Sequence, residues 1–351
     1  MVRYFLDDSE GVAFAFWVGI GALVLALLSF FGIVAIRWIS LYREHQHEQH
    51  LKRWRRRLAK IASGSKASLP KLSPQDAPEF AEAWNDLNDA LPDGRKRLRG
   101  VGEKVGLSEA ARQLLQGRYH HRAMAIIALG HQGDARDFEQ LAPFLADPNP
   151  ITSLCTARAL SQIDVNRAME LFVPALAARQ DWPEGTVTSI LKESDDSAVK
   201  ALARAALHGN DNSAARLVRF LVDTDAERAA PVIRRLLDSK ADDHVISTCL
   251  QVVTDRVDLD RVRSFLDHPR WHVRMHAASA LGRLGDSSDE PRLSTLLSDP
   301  QWWVRYRTAQ ALRILPGVRD EGIRRISAAQ RDTFAREIIE QVLAEPIRGA
   351  A

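Results

Sequence analysis

The sequence predicts an all-α protein in which one transmembrane helix precedes an α-solenoid, an array of stacked helical pairs. Two observations support this fold class. Residues 11–36 form a run of twenty-six residues without a charge. After this run, leucines recur within apolar helical stretches at spacings of 29 to 31 residues. Such a period is typical of stacked supersecondary units that share a continuous core.

The uncharged run is long enough to cross a membrane. As an α-helix it measures about 39 Å, compared with roughly 30 Å for the hydrocarbon core of a bilayer. Trp17 lies near one end of the run, and Trp38 and Tyr42 lie just past the other, where aromatic rings favour the headgroup region. A cleaved signal peptide is the alternative, but it needs a basic leader and a shorter apolar run. The leader here carries Arg3 against three acidic residues, so we expect a retained anchor.

The charges beside the run predict its orientation. Residues 37–60 carry eight lysines and arginines against two glutamates. By the positive-inside rule, residues 1–10 form a short extracytoplasmic stub of an inner or plasma membrane protein, and the large C-terminal part is cytoplasmic. The helical pattern continues over 37–62, where each cation near anionic headgroups contributes on the order of 1 kcal/mol. The predicted lipid contacts are Lys52, Arg53, Arg55, Arg56 and Arg57.

One face of the predicted span carries only small residues. They recur at alternating steps of four and three, which places them along one side of a helix. Small residues let a second helix approach closely in lipid, although glycine and alanine are also common in membrane spans generally. We expect the stripe to pack against a helix of an integral membrane protein. The stripe consists of Gly11, Ala15, Gly19, Ala22, Ala26, Ser29 and Gly32.

The remaining chain divides by composition. Residues 63–78 are rich in serine, proline and lysine without an apolar period, which predicts a linker. The solenoid is expected over 79–318, and a C-terminal capping helix and tail over 319–351. Residues 61–351 are nearly neutral, which argues against a long electrostatic track for nucleic acid. Cys155 and Cys249 are expected to be free, buried thiols.

The repeat is clearest in residues 262–315, where eight residues recur 31 positions later. The first copy contains Pro269, Trp271, Val273, Arg274, Ala278, Ala280, Leu281 and Leu284, and the second contains Pro300, Trp302, Val304, Arg305, Ala309, Ala311, Leu312 and Leu315. This pattern, LxxLLxDPxWxVRxxAAxALxxL, resembles HEAT repeats of the short type in bacterial proteins and in phycobilisome-lyase-like HEAT domains. The resemblance covers roughly residues 110–318 and implies an α-solenoid that binds partners. It carries no lyase activity over to this chain, because HEAT repeats serve many functions.

The repeat also separates structural residues from candidate surface residues. The repeated tryptophans are predicted to lie at the turn between helices, and the repeated arginines to pair with acids of an adjacent repeat. Trp303 and Tyr306 differ, because His272 and Met275 stand 31 positions before them. We therefore predict that Trp303 and Tyr306 form part of a partner surface.

No motif in the sequence predicts chemistry. The chain lacks GxxxxGK[ST], GxSxG, HExxH and paired CxxC motifs, whose spacings create phosphate, acyl-transfer and metal sites. His45, His47 and His50 have no cysteine or acid pair nearby to complete a ligand set. We expect no catalytic residue, bound metal, cofactor or small-molecule substrate.

These observations together predict a membrane-anchored HEAT-repeat adaptor or scaffold subunit. It would bind an integral membrane protein through its span and its solenoid, and would position or regulate that complex from the cytoplasmic side. A polysaccharide-synthesising glycosyltransferase is one example of such a host. The alternative is a nucleic-acid-binding HEAT protein tethered to the membrane, which a strongly basic solenoid face would favour.

Overall fold

The computed structural model describes residues 8–63, 69–91, 95–209 and 211–346, which form α-helices, short 3₁₀ turns and connecting segments without a β-strand. The chain divides into two compact units, Met1–Gln132 and Gly133–Ala351. The first unit contains α1 (Asp8–Ala62), α2 (Ala77–Ala90), α3 (Arg95–Val105), α4 (Leu107–Leu114) and α5 (Tyr119–Gln132). Most of the predicted stub, residues 64–68 of the predicted linker and residues 347–351 lie outside the described residues.

The second unit contains the remaining helices. They are α6 (Phe138–Leu141), α7 (Pro150–Ile163), α8 (Val165–Ala178), α9 (Glu184–Glu193), α10 (Asp195–His208), α11 (Asp211–Thr224), α12 (Ala226–Leu237), α13 (Asp243–Val252), α14 (Leu259–Ser264), α15 (Trp271–Leu284), α16 (Glu290–Leu296), α17 (Trp302–Ile314), α18 (Asp320–Ala329) and α19 (Thr333–Ala344).

Helix α1 is continuous over 55 residues and includes both the predicted span and the predicted juxtamembrane helix. Its C-terminal end is part of the core of the first unit, because Leu51, Leu58 and Ile61 are buried and α1 packs on α2 and α3. These three residues recur at helical spacing, so they form one apolar stripe. The Trp54 ring meets the Phe80 ring edge-to-face at 5.2 Å. The C-terminal part of α1 is thereby fixed to the first unit.

The core of the first unit is centred on α2. Phe80 and Trp84 on this helix are fully buried and stack with ring centroids 6.0 Å apart. The Asn85 side chain donates a hydrogen bond to the Met124 carbonyl of α5 over 3.0 Å. Within the predicted linker, the backbone N–H of Leu72 donates to the carbonyl at the end of α3. This part of the linker is therefore hydrogen-bonded to the unit that follows it.

The second unit is built from helical pairs. The second helices of the pairs, α7, α9, α11, α13, α15, α17 and α19, contact one another in chain order, and α15 and α17 form the most extensive of these contacts. A final pair, α18 and α19, follows Leu315, whereas the sequence had predicted a single capping helix within residues 319–351. Apolar periodicity is weak in α18, because only Ile323 and Ile326 supply large apolar side chains to its buried face.

The leucines that revealed the repeat occupy the core. All seven are at most 1% exposed, so the prediction of a helical repeat of about 30 residues is confirmed. They are Leu129, Leu160, Leu191, Leu221, Leu250, Leu281 and Leu312. This arrangement fits the predicted α-solenoid.

A second periodic series lies at the start of the first helices of the pairs, or of the 3₁₀ turns that precede them. In each case an aspartate side chain accepts a hydrogen bond from a backbone N–H two or three residues later. The carboxylate thereby satisfies an unpaired donor and also favours the positive end of the helix dipole. The series consists of Asp134, Asp164, Asp225, Asp255 and Asp286. Sequence reasoning based on leucines missed this repeat, although the same period marks it.

Candidate interaction surfaces

The apolar half of α1 is exposed. Trp17 is 68% exposed, Leu25 67% and Phe31 64%. By length and composition, α1 is the helix among the described residues that could cross a membrane, and none of its most apolar window is buried. A long exposed apolar surface is unfavourable in water, and it matches the surface that a membrane-spanning helix presents to lipid.

The stripe of small residues lies on this exposed part of α1. Gly19, Ala22, Ala26, Ser29 and Gly32 are all exposed. A Cβ atom built on Gly19 or Gly32 meets no other atom within 4 Å, so no described part of the chain covers the stripe there. The side chains of residues 11 and 15, the first two stripe positions, are not among the described side chains. The stripe is therefore available for a second helix over at least its last five positions.

The five predicted lipid contacts form a basic cluster on α1, and only some of them contact other side chains of the protein. All five predicted lipid contacts are exposed. Lys52 pairs with Glu48 at 3.0 Å, and the Nε atom of Arg55 donates to Asp86 of α2 over 3.0 Å. The guanidinium of Arg57 lies over the Trp54 ring at 5.4 Å from its centroid. Arg53 and Arg56 are directed away from the buried stripe of the helix.

The position of the basic cluster along α1 matters for its contacts. Lys52 lies fifteen residues after Arg37 in one helix, which corresponds to about 22 Å along the axis. The polar layer on each side of a bilayer is only about 5–8 Å thick. The segment 37–51 contains no proline or glycine, the residues at which sharp kinks usually form. In a helix that crosses a bilayer upright and leaves it at Arg37, the basic cluster would therefore lie well beyond the headgroups.

The two residues of the predicted partner surface, Trp303 and Tyr306, differ in their exposure. Trp303 is 52% exposed. Tyr306 is only half-buried, but its ring stacks on Trp302 with centroids 5.0 Å apart, and its hydroxyl donates to the Glu345 carboxylate over 2.9 Å. Trp303 is thus the member of the predicted pair that presents a large free surface, whereas Tyr306 also fixes the end of α19.

A cleft of about 530 Å³ lies beside Tyr306. It is formed by α15, α17 and the end of α19. Its polar lining includes Ser279, Arg307, Gln310 and Glu345. Side chains of two adjacent repeats therefore offer hydrogen-bond donors to this cleft.

The repeated arginines have the structural role that the sequence predicted. The Arg274 guanidinium makes two hydrogen bonds to the Asp299 carboxylate, at 2.7 and 3.0 Å. Arg305, its equivalent one repeat later, lies 3.6 Å from Asp332. Each pair joins one repeat to the next, so the prediction that these arginines pair with acids of an adjacent repeat is confirmed.

Two buried aspartates extend this set of ion pairs. Asp258 is fully buried and accepts from Arg234 at 2.7 Å and from Arg261 at 3.2 Å. Asp289, 31 residues later and also fully buried, accepts two hydrogen bonds from Arg263. Sequence reasoning missed these aspartates. Their signal was the recurring Asp-x-x-Asp spacing, in which the first aspartate caps the turn and the second enters the core.

Among the described residues, neither the two thiols nor His45 shows a feature of a reactive centre. Cys155 is half-buried and Cys249 is buried, and both are free. Burial raises the pKa of the Cys249 thiol to about 12, so it stays protonated at neutral pH. His45 hydrogen-bonds with Gln49. Within the described residues, no group of three or more histidine, cysteine or acidic side chains is placed to hold a metal ion.

Comparison with known proteins locates the repeats in the chain. A family model described as HEAT repeats matches residues 255–319. No curated protein matches the chain. Among solved structures, human deoxyhypusine hydroxylase in complex with glycerol is similar over 75% of this chain and 88% of that chain, with 18% identity and a TM-score of 0.30. Residues 255–319 therefore carry HEAT repeats, within a chain whose described residues form an all-helical fold.

Proposed function

We propose that this protein is a membrane-anchored HEAT-repeat adaptor. Its span packs on an integral membrane protein, and its repeats bind and position that protein, or another component of the same complex, from the cytoplasmic side. A membrane-bound enzyme or transporter complex is the natural host, and a polysaccharide-synthesising glycosyltransferase is one example. HEAT repeats, which match residues 255–319, support a scaffold role because stacked repeats present extended binding surfaces.

The observation that carries this proposal is the continuity of α1. Its apolar half is exposed, while Leu51, Leu58 and Ile61 near its end are buried in the first unit. One rigid helix thus connects a surface suited to lipid with a folded core. A flexible tether would leave the soluble body free to reorient, whereas a continuous helix fixes its direction relative to the membrane.

The charged groups buried in the second unit favour a scaffold over an enzyme. Asp258 and Asp289 are fully buried, and both accept hydrogen bonds from arginines of neighbouring elements. Carboxylates that are buried and held by arginines in this way join repeats, whereas a catalytic acid or base needs access to a substrate. These residues are accounted for by the stability of the array.

The span interface can be tested by site-specific photocrosslinking in the native membrane. A photoreactive residue at Ala22 lies on the small-residue stripe, whereas one at Val24 lies about 200° around the helix and is the matched control. We expect a discrete crosslinked product from Ala22 and none from Val24, with the product abolished by Gly19→Phe. Loss of the protein from alkali-washed membranes would contradict the anchor, and equal crosslinking from both positions would contradict the stripe.

The predicted contact between the basic cluster and lipid needs a separate test. Because α1 places the cluster about 22 Å beyond Arg37, and screening is strong over about 8 Å in physiological salt, we expect little contact in an upright helix. With the span held in vesicles, a fluorophore attached at residue 53 should be quenched equally weakly by a headgroup-linked quencher in anionic and in neutral lipid, and Arg56→Gln should change neither value. Stronger quenching in anionic vesicles that Arg56→Gln reduces would show that α1 lies low on the membrane and that the lipid contact is real.

A further inference from the structure

Arginines and histidines that have no role in the adaptor proposal lie together on one side of the second helices. We define this basic face by five residues, Arg219 of α11, His272, His276 and Arg283 of α15, and Arg307 of α17. His276 and Arg307 are 31 positions apart, so they occupy equivalent places in adjacent repeats. The helices α15 and α17 pack closely, which brings these equivalent positions side by side.

The environment of His276 reports the electrostatic character of this face. Burial lowers the pKa of the His276 imidazole to about 4, and the charges of Arg307, His272, Arg283 and Arg219 lower it further. Three of these four groups are arginines, and the four groups come from three helices. The arginines near His276 make the electrostatic potential there positive.

Two cations of the basic face differ from the arginines that join one repeat to the next. Among the described residues, Arg219 and Arg307 have no ion-pair partner, and Arg307 donates only to the side-chain oxygen of Gln310 at 3.0 Å. Arg283 donates to the carbonyls of Leu250 and Gln251. By contrast, the arginines between repeats, such as Arg274, are bound to aspartates.

The surroundings of Arg307 supply a place for a carboxylate. The 530 Å³ cleft beside it is also lined by Ser279 and Gln310, which bring a hydroxyl and an amide. Glu345 is the acid in this cleft, and its carboxylate is engaged by the Tyr306 hydroxyl. Trp303 on the same helix adds an exposed aromatic surface near the cations.

We propose that the basic face binds an acidic segment of a partner protein, with carboxylates against Arg307 and Arg219 and an apolar side chain against Trp303. Charge complementarity selects the class of ligand, and an exposed tryptophan beside the cations is suited to act as an anchor. A nucleic acid is less suited, because a phosphate backbone is bound by a longer row of cations, about 6–10 contacts in typical complexes. The proposal rests on the adaptor function for its context and names the chemistry of the partner.

The test measures binding of a short fluorescent peptide rich in glutamate with one central leucine. The full chain is used in nanodiscs of phosphatidylcholine, a lipid without net charge, and binding is followed by fluorescence anisotropy. We expect the glutamate peptide to bind and a matched glutamine peptide not to bind. Arg307→Glu and Arg219→Glu should each weaken binding by about fivefold or more. Arg235→Glu, an exposed reversal on the first helix α12, should change it by less than about twofold.

Several results would overturn the proposal. These are equal binding of both peptides, an equal loss in the Arg235→Glu control, or tighter binding of a single-stranded oligonucleotide, which would assign the face to nucleic acid. Arg307→Gln removes the charge without reversing it, so a partial loss in this variant separates a binding role from a folding defect. Peptide binding without an Ala22 crosslink would refute the span interface alone, and the opposite result would refute the basic face alone.

Discussion

Gly282 of α15 provides the sharpest test of the packing between repeats. A Cβ atom at this position would lie 2.6 Å from the Cα, 2.7 Å from the Cβ and 2.8 Å from the carbonyl oxygen of Ala311 in α17. Two of these atoms belong to the backbone, so no side-chain rotation can relieve the clash. Gly282→Ala must therefore separate α15 from α17, the most closely packed pair of second helices.

Two effects of opposite sign determine how much Gly282→Ala changes the free energy of unfolding. Alanine favours a helix interior over glycine by about 1 kcal/mol, while forcing a methyl group into a packed contact costs typically 1–3 kcal/mol. Because the contact is with backbone, we take the upper end of that range and expect a net destabilisation of about 2 kcal/mol. Hydrogen exchange of the amides in α15 and α17 should then be about thirtyfold faster, since each 1.4 kcal/mol is a factor of ten.

The same substitution at Gly100 is the matched control. This glycine lies inside α3, and a Cβ atom there meets nothing within 4 Å. Gly100→Ala should stabilise the first unit by about 1 kcal/mol through helix propensity alone. If Gly282→Ala left exchange in α15 and α17 unchanged or slower, the close approach of these helices would be refuted.

Three further predictions concern side chains that the fold buries wholly or in part. Asp258→Ala should lower the free energy of unfolding by about 1–3 kcal/mol in urea titrations, because Arg234 and Arg261 lose their shared acceptor. Asp260→Ala, at a side chain that is 95% exposed, should have little effect. His276 should titrate near pH 4 by NMR. Because the unfolded chain binds this proton near pH 6.5 and the folded chain only near pH 4, the free energy of unfolding should fall as the pH is lowered from 6.5 to 4. The fall should be smaller in His276→Gln. Cys249 should resist maleimide at pH 7–8 until the protein is unfolded; reaction in the native state would contradict its burial.

The repeat could be predicted from the sequence because the residues that recur in each repeat are buried and apolar. Leu281 and Leu312 share one core environment, so the same side chain is required at both positions. The pair of helices after Leu315 was only half predicted, because the end of the array faces solvent and needs fewer apolar side chains on α18. Apolar periodicity therefore reveals inner repeats better than terminal ones.

Side-chain pairing was harder to predict than the fold. Arg274 could be assigned a partner in the next repeat because arginine recurs there with an Asp-Pro turn. Asp258 and Asp289 could not be recognised as buried, since an isolated aspartate in a sequence is ordinarily an exposed helix cap. Their burial depends on arginines 24 and 26 residues away in sequence, a distance that only the stacking of helices makes short.

The use of arginine explains how residues 61–351, which are nearly neutral in total, can still present a local positive surface. One set of arginines, such as Arg274, is neutralised by aspartates between repeats. A second set binds the carbonyls at helix C-termini, as Arg99 does at α5 and Arg283 at α13, where the helix dipole favours a cation. Arg219 and Arg307 belong to neither set within the described residues. Net charge therefore argues against a long basic track, while unpaired cations such as Arg307 supply the positive charge of the proposed basic face.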